Sequence, residues 1–134
     1  MSDSFKTTFV VYASPEHVFE AFTDPGIIGA WGGGLSVVEL MEGGRFEWFD
    51  GAVTGRIISF VPARELSFTW KPAEWPKQSA PSTVQLFFKT HPAGTAVVLN
   101  HTNLPPEEDP EKHGNGWVDL VFDPINDYFT EKMG

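Results

Sequence analysis

Apolar and polar positions alternate along much of this chain and recur at helical spacing near its two ends. Residues 5–12, FKTTFVVY, are β-branched and aromatic with rough alternation, which predicts a first strand. Ser14 then offers an N-cap oxygen, Pro15 sits at the first helical position where its missing N–H costs nothing, and Glu16 suits the positive end of the helix dipole. A short helix from Pro15 to about Thr23 follows, with Val18, Phe19 and Phe22 forming one buried stripe. Asp24-Pro25 repeats the start, predicting a second short helix through Ile27, Ile28 and Trp31 that stops at Gly32-Gly33-Gly34. From Leu35 the period falls to two. LSVVEL (35–40) and RFEWFD (45–50) flank a Glu42-Gly43-Gly44 hairpin turn, and further strands are expected near 53–61, 64–71, 82–90 and 94–102. Pro72, Pro76 and Pro81 exclude regular structure from the connection at 72–81, and PPEEDPEKHGNG after Leu104 reads as a loop. Finally Trp117, Leu120, Val121, Pro124, Ile125, Tyr128 and Phe129 share one face of an amphipathic helix. Pro124 either kinks that helix or, with Asp123 as its cap, restarts it.

This order predicts an α+β domain spanning 1–134: a curved antiparallel sheet of about seven strands, two short helices between strands one and two, and a long C-terminal helix across the sheet. Alternation places Phe46, Trp48 and Asp50 on one face of their strand. Leu66, Phe68 and Trp70, then Val84, Leu86 and Phe88, then Val97, Leu99 and His101 do the same on theirs. These inward sets are rich in aromatic rings, with His101 and Asp50 as their polar members, and face Trp117, Leu120 and Val121 of the helix. They either fill the space between sheet and helix or enclose a cavity for an apolar ligand.

Composition sharpens the question. Twelve Phe, five Trp and two Tyr make 14% of the chain aromatic, a large share for 134 residues. Eighteen acidic against nine basic residues give a net charge of −9, which repels phosphate backbones and anionic lipid and argues against nucleic-acid binding. Cysteine is absent, so disulfides and thiolate chemistry are excluded. The opening MSDSFKTTF does not read as a secretory signal and no stretch approaches a membrane span, so a soluble cytoplasmic protein without membrane insertion is expected.

The order of elements, with SPEHVFEAFTDPGIIGAW (14–31), GGRF (43–46), the Gly55 strand running into ELSFTW (65–70), GTAVVLNHTNL (94–104) and GW (116–117), resembles the START-like or Bet v-like (SRPBCC) superfamily. Within it the chain is most similar to the AHSA group, homologues of the activator of the heat-shock-protein-90 ATPase. The resemblance runs from about residue 5 to 130. It implies a helix-grip fold with a hydrophobic cavity between sheet and C-terminal helix. Members of the superfamily carry lipids and other apolar molecules or act as cyclases and aromatases, while the eponymous proteins stimulate a chaperone ATPase. Asp123-Pro124 departs from the plain terminal helix of the family and bears on the cavity floor.

Three functions follow as expectations. The first is binding of a small hydrophobic or aromatic molecule, with Trp31, Phe46, Trp48, Trp70, Leu86, Phe88, Leu99, His101, Trp117, Leu120, Val121 and Pro124 as its site. The second is a cyclase-like enzyme in which His101, since the unperturbed pKa of a histidine is near neutrality, and secondarily Asp50 act as acid and base. The third is a chaperone-associated stress protein acting through its surface, by a chaperone or homodimer contact. His101 could equally be a structural histidine, and Asp50, before Gly51, could simply bond backbone in a turn. Trp31 reads as a gate on a glycine hinge or as a packed rim residue. Trp75, between Glu74 and Pro76, is either an exposed interface anchor or folded onto the sheet edge. No cofactor or metal is expected: His17 and Glu20 have helical spacing but no third ligand, and Asp109, Glu111 and His113 sit in a loop. Gly43-Gly44 lacks the Lys and helix of a phosphate loop, and no Ser/His/Asp order suggests a nucleophile.

Overall fold

The computed structural model describes residues 4–105 and 116–133. Seven strands, β1 (Phe5–Val11), β2 (Val37–Val38), β3 (Arg45–Trp48), β4 (Val53–Val61), β5 (Glu65–Pro72), β6 (Ser82–His91) and β7 (Gly94–Thr102), form one sheet in the order β1-β7-β6-β5-β4-β3-β2. Every neighbouring pair is antiparallel. From β2 to β7 the sheet is a meander, and β1 closes against β7 with Phe5 opposite His101 and Val11 opposite Thr95. Asp109, Glu111 and His113 lie outside the described residues.

The two short helices form as their caps dictate. Ser14 Oγ accepts from the His17 N–H to open α1 (Pro15–Thr23). Asp24 then serves both helices. Its N–H donates to the Glu20 carbonyl at 2.8 Å and closes α1, while its Oδ1 accepts from the Gly26 N–H at 2.8 Å and opens α2 (Pro25–Gly32). Gly33 ends α2 at φ +76°, a conformation a side chain would resist.

Strict alternation holds in β5, β6 and β7, whose inner faces bury Leu66, Phe68 and Trp70, then Ser82, Val84, Leu86 and Phe88, then Thr95, Val97, Leu99 and His101. In β4 a bulge at Ile58 breaks it, so that Ile57 and Phe60 both turn inward and Phe60 reaches Phe19 of α1.

The expected strand at 35–40 shortens to Val37–Val38, and the one at 45–50 ends at Trp48. Phe49 and Asp50 adopt φ of +57° and +59°, which ends the pleat, so Asp50 does not share the face of Phe46 and Trp48. Instead Asp50 Oδ1 accepts from the Leu35 N–H and its own N–H donates to the Leu35 carbonyl, both at 2.8 Å. The turn reading of Asp50 is the one observed. Trp75 folds back and is buried.

The terminal helix resolves the proline in a third way. A π-helical turn at Val118–Phe122 precedes α3 (Asp123–Met133), and the Asp123 N–H reaches the Val118 carbonyl five residues back. The wider turn takes up the step at Pro124, which has no N–H to give to the ladder. It also rotates the helix face. Leu120, expected against the sheet, is 66% exposed, while Phe122, absent from the expected face, is fully buried and stacks on Phe9 at 4.7 Å between ring centroids. Pro124 and Tyr128 are only half-buried.

Candidate functional site

Most of the space between sheet and helices is filled by rings. Phe46 stacks on Phe68 with centroids 4.2 Å apart, and Trp48 packs among Phe22, Trp31, Phe46, Phe68, Trp70 and Trp117. Phe46, Trp48, Leu86, Leu99 and His101 have no exposed surface. Phe88 packs against Phe19 and Phe22 of α1. Trp31 is pinned: its Nε1 donates to the Ala21 carbonyl at 2.8 Å and its ring meets Trp48 edge-on, so the packed-rim reading describes it.

Among the described residues an apolar pocket of about 430 Å³ lies where the β3–β4 turn, the end of β5 and the 116–121 segment of the terminal helix converge. Phe49, Val53, Trp70, Pro72, Trp117 and Val121 form its walls, and Ala52, Ala73, Glu74, Gly116 and Leu120 complete the lining. The structure therefore brings together four of the residues singled out by sequence, Trp70, Trp117, Leu120 and Val121. The remaining eight, Trp31, Phe46, Trp48, Leu86, Phe88, Leu99, His101 and Pro124, stand outside that lining. Phe49 escaped because unbroken alternation points it outward. The Asp50-Gly51 pair beside it was the signal that the strand ends early. Glu74 and Ala73 lie in the proline-rich connection, where no periodicity assigns a direction.

The pocket wall is held from behind. Trp70 and Trp117 lie 4.8 Å apart between centroids, tilted by 33°. Trp117 Nε1 donates to His101 Nδ1 at 3.1 Å, His101 Nε2 lies 2.8 Å from Ser82 Oγ, and that hydroxyl donates to the Trp70 carbonyl at 2.8 Å. An indole N–H can only donate, so Nδ1 must accept. The Ser82 proton is committed to Trp70, so Nε2 carries hydrogen and donates to Ser82. A single direction of hydrogen bonding thus runs from the terminal helix through β7 and β6 to β5. The indole N–H groups of Trp48 and Trp70 have no acceptor among the described residues, and both are covered. Trp48 and Trp70 meet edge-to-face at 87°.

Among the described residues there is no cluster of three His, Cys, Asp or Glu side chains able to hold a metal, and no helix long and apolar enough to cross a membrane.

Comparison with known proteins places this architecture. The chain is 28% identical over 126 residues to the activator of 90 kDa heat shock protein ATPase homolog 1 of Mus musculus, and 27% identical to its Homo sapiens counterpart. Each match covers 94% of this chain and 36% of the relative, so the chain spans about a third of those proteins' length. An HSP90 activator from Plasmodium falciparum has a similar crystal structure, with a TM-score of 0.85 and 28% identity over 96% of this chain and 97% of that one. The Aha1 dimer from Colwellia psychrerythraea shares the fold at a TM-score of 0.73 and 17% identity, covering 90% of this chain and 91% of that one. The helix-grip fold read from the sequence is therefore the fold observed. Residues 12–130 match the model of the activator of Hsp90 ATPase homolog 1-like proteins, and the chain belongs to that family.

Proposed function

We propose that this chain binds a small apolar, ring-bearing molecule in the pocket between Phe49, Trp70 and Trp117. The observation that carries the reading is the pocket itself: a void left in an otherwise ring-filled interior, walled by apolar side chains and open at one end. Its volume falls within the ~300–1,000 Å³ of small-molecule sites, and its two indole walls are fixed by the His101 relay before any ligand arrives. The relay also favours binding over acid–base chemistry. Both His101 nitrogens are engaged, and the imidazole lies behind the wall rather than in it. The test is titration of the purified chain with naphthalene derivatives, following tryptophan fluorescence, beside Ala52→Trp. Ala52 lines the pocket and is exposed, so an indole there fills the void without disturbing the core. Binding that disappears in Ala52→Trp supports the reading, and binding that survives it defeats the reading.

A second reading, contact with a chaperone, is supported by the likeness to HSP90 activators from mouse and Plasmodium falciparum. Measuring the ATPase rate of a purified Hsp90 with saturating amounts of this chain tests it, and an unchanged rate counts against it.

A further inference from the structure

The pocket has a charge pattern as well as a shape. Phe49, Trp70 and Trp117 supply aromatic rings, whose faces attract cations. Glu74 is the one charged residue in the pocket lining among the described residues, and its exposed carboxylate has no ion-pair or hydrogen-bond partner among them. The neighbouring Lys71 does not neutralise it: Lys71 belongs to the opposite face of β5, and its Nζ donates to the Lys77 carbonyl at 2.8 Å. On the helix side Asp119, exposed in the turn after Trp117, adds negative charge of the same sign. The unpartnered Trp70 N–H is covered and cannot be reached by an acceptor on a ligand. The net charge of −9 adds a long-range bias of the same sign.

Resting on the reading of this pocket as a small-molecule site, we infer that its ligand is an aromatic amine, with rings against Phe49, Trp70 and Trp117 and the ammonium beside Glu74. The same carboxylate repels a carboxylate of equal shape, fatty acids included. Specificity here is a difference between two ligands of one skeleton, to which attraction and repulsion both contribute.

The experiment uses a matched set: 2-(1-naphthyl)ethylamine, 2-(1-naphthyl)ethanol and 1-naphthylacetate. Each is titrated at pH 7 and low salt into the full chain and into Glu74→Gln, Glu74→Lys and Ala52→Trp. The amine should bind about tenfold more tightly than the acid, with the alcohol between them. That span should collapse in Glu74→Gln and invert in Glu74→Lys. Equal affinities for amine and acid, or a preference that persists unchanged in both Glu74 variants, would overturn the ligand class while leaving the pocket as a binding site. Failure of all three compounds, or alcohol binding that Ala52→Trp does not remove, would overturn the pocket reading and the amine with it.

Discussion

Replacing His101 by Leu should uncouple the terminal helix from the sheet, and the cost can be worked from the relay. The substitution keeps a buried side chain of similar bulk but removes the acceptor of the buried Trp117 N–H. An orphaned buried donor costs about 1–3 kcal/mol, whereas Ser82 keeps its bond to the Trp70 carbonyl and loses only an optional partner. At roughly 3–5 °C per kcal/mol for a domain of this size, Tm should fall by about 3–15 °C. His101 has other interactions too, so the single variant alone does not isolate the pair. A double-mutant cycle with Trp117→Phe does. Phenylalanine removes the donor, so His101→Leu should cost less in that background, with a coupling energy of about 1–2 kcal/mol from urea unfolding curves. His101→Asn offers an oxygen near the Nδ1 position and should recover part of the loss. A coupling energy within about 0.3 kcal/mol of zero would refute the relay as an energetic link.

Phe49→Gly should be more stable than Phe49→Ala by about 1 kcal/mol, because both lose the ring but only glycine is at ease at φ +57°; the reverse order by chemical denaturation would remove the strain assigned to that turn. Leu120→Ser should leave stability within about 0.5 kcal/mol, since the side chain is 66% exposed, yet weaken naphthalene binding; the pocket mouth is misplaced if affinity is untouched. Gly55→Ala should destabilise by about 1–3 kcal/mol or more, since a Cβ there runs into the Thr69 carbonyl across the β4–β5 pair; a thermal melt matching the parent's would contradict that packing.

What the sequence disclosed and what it withheld divide along a physical line. Caps are local chemistry, so Ser14-Pro15 and Asp24-Pro25 could be read as helix starts and are observed as such. Period-two alternation depends only on the pleat, and it gave the inner faces of β5, β6 and β7 correctly. Those cues fail where the backbone leaves regular geometry. At Phe49-Asp50 two left-handed residues end the pleat and swing Phe49 toward the pocket. At Ile58 a bulge shifts the phase of β4. At Val118–Phe122 one wider turn exchanges Leu120 for Phe122, and a helical wheel drawn with 3.6 residues per turn has no means of anticipating that rotation. Pro124 announces that something must give, but whether by kink, restart or wider turn is decided by what the rotated face finds, here Phe9 and Trp117.

The same irregularities explain why a void survives in so aromatic an interior. A regular helix presenting Leu120 to the sheet would direct that side chain toward the end of β5, where the pocket now lies. The π-helical turn instead leaves Leu120 at the mouth, while the relay through His101 and Ser82 ties Trp117 to β5. On the facing side, Gly32 has no Cβ to obstruct the Phe49 ring, so that ring packs edge-on against Trp31. The Ala52 and Ala73 side chains are too short to cross the remaining gap. The pocket is thus bounded by a turn in the helix and a turn in the sheet, each carrying a local conformational cost. Costs of that kind concentrate where a surface has been shaped for something other than stability. Trp48 packs behind all three of the pocket's ring walls, Phe49, Trp70 and Trp117, and Phe22, Phe46 and Phe68 back it in turn.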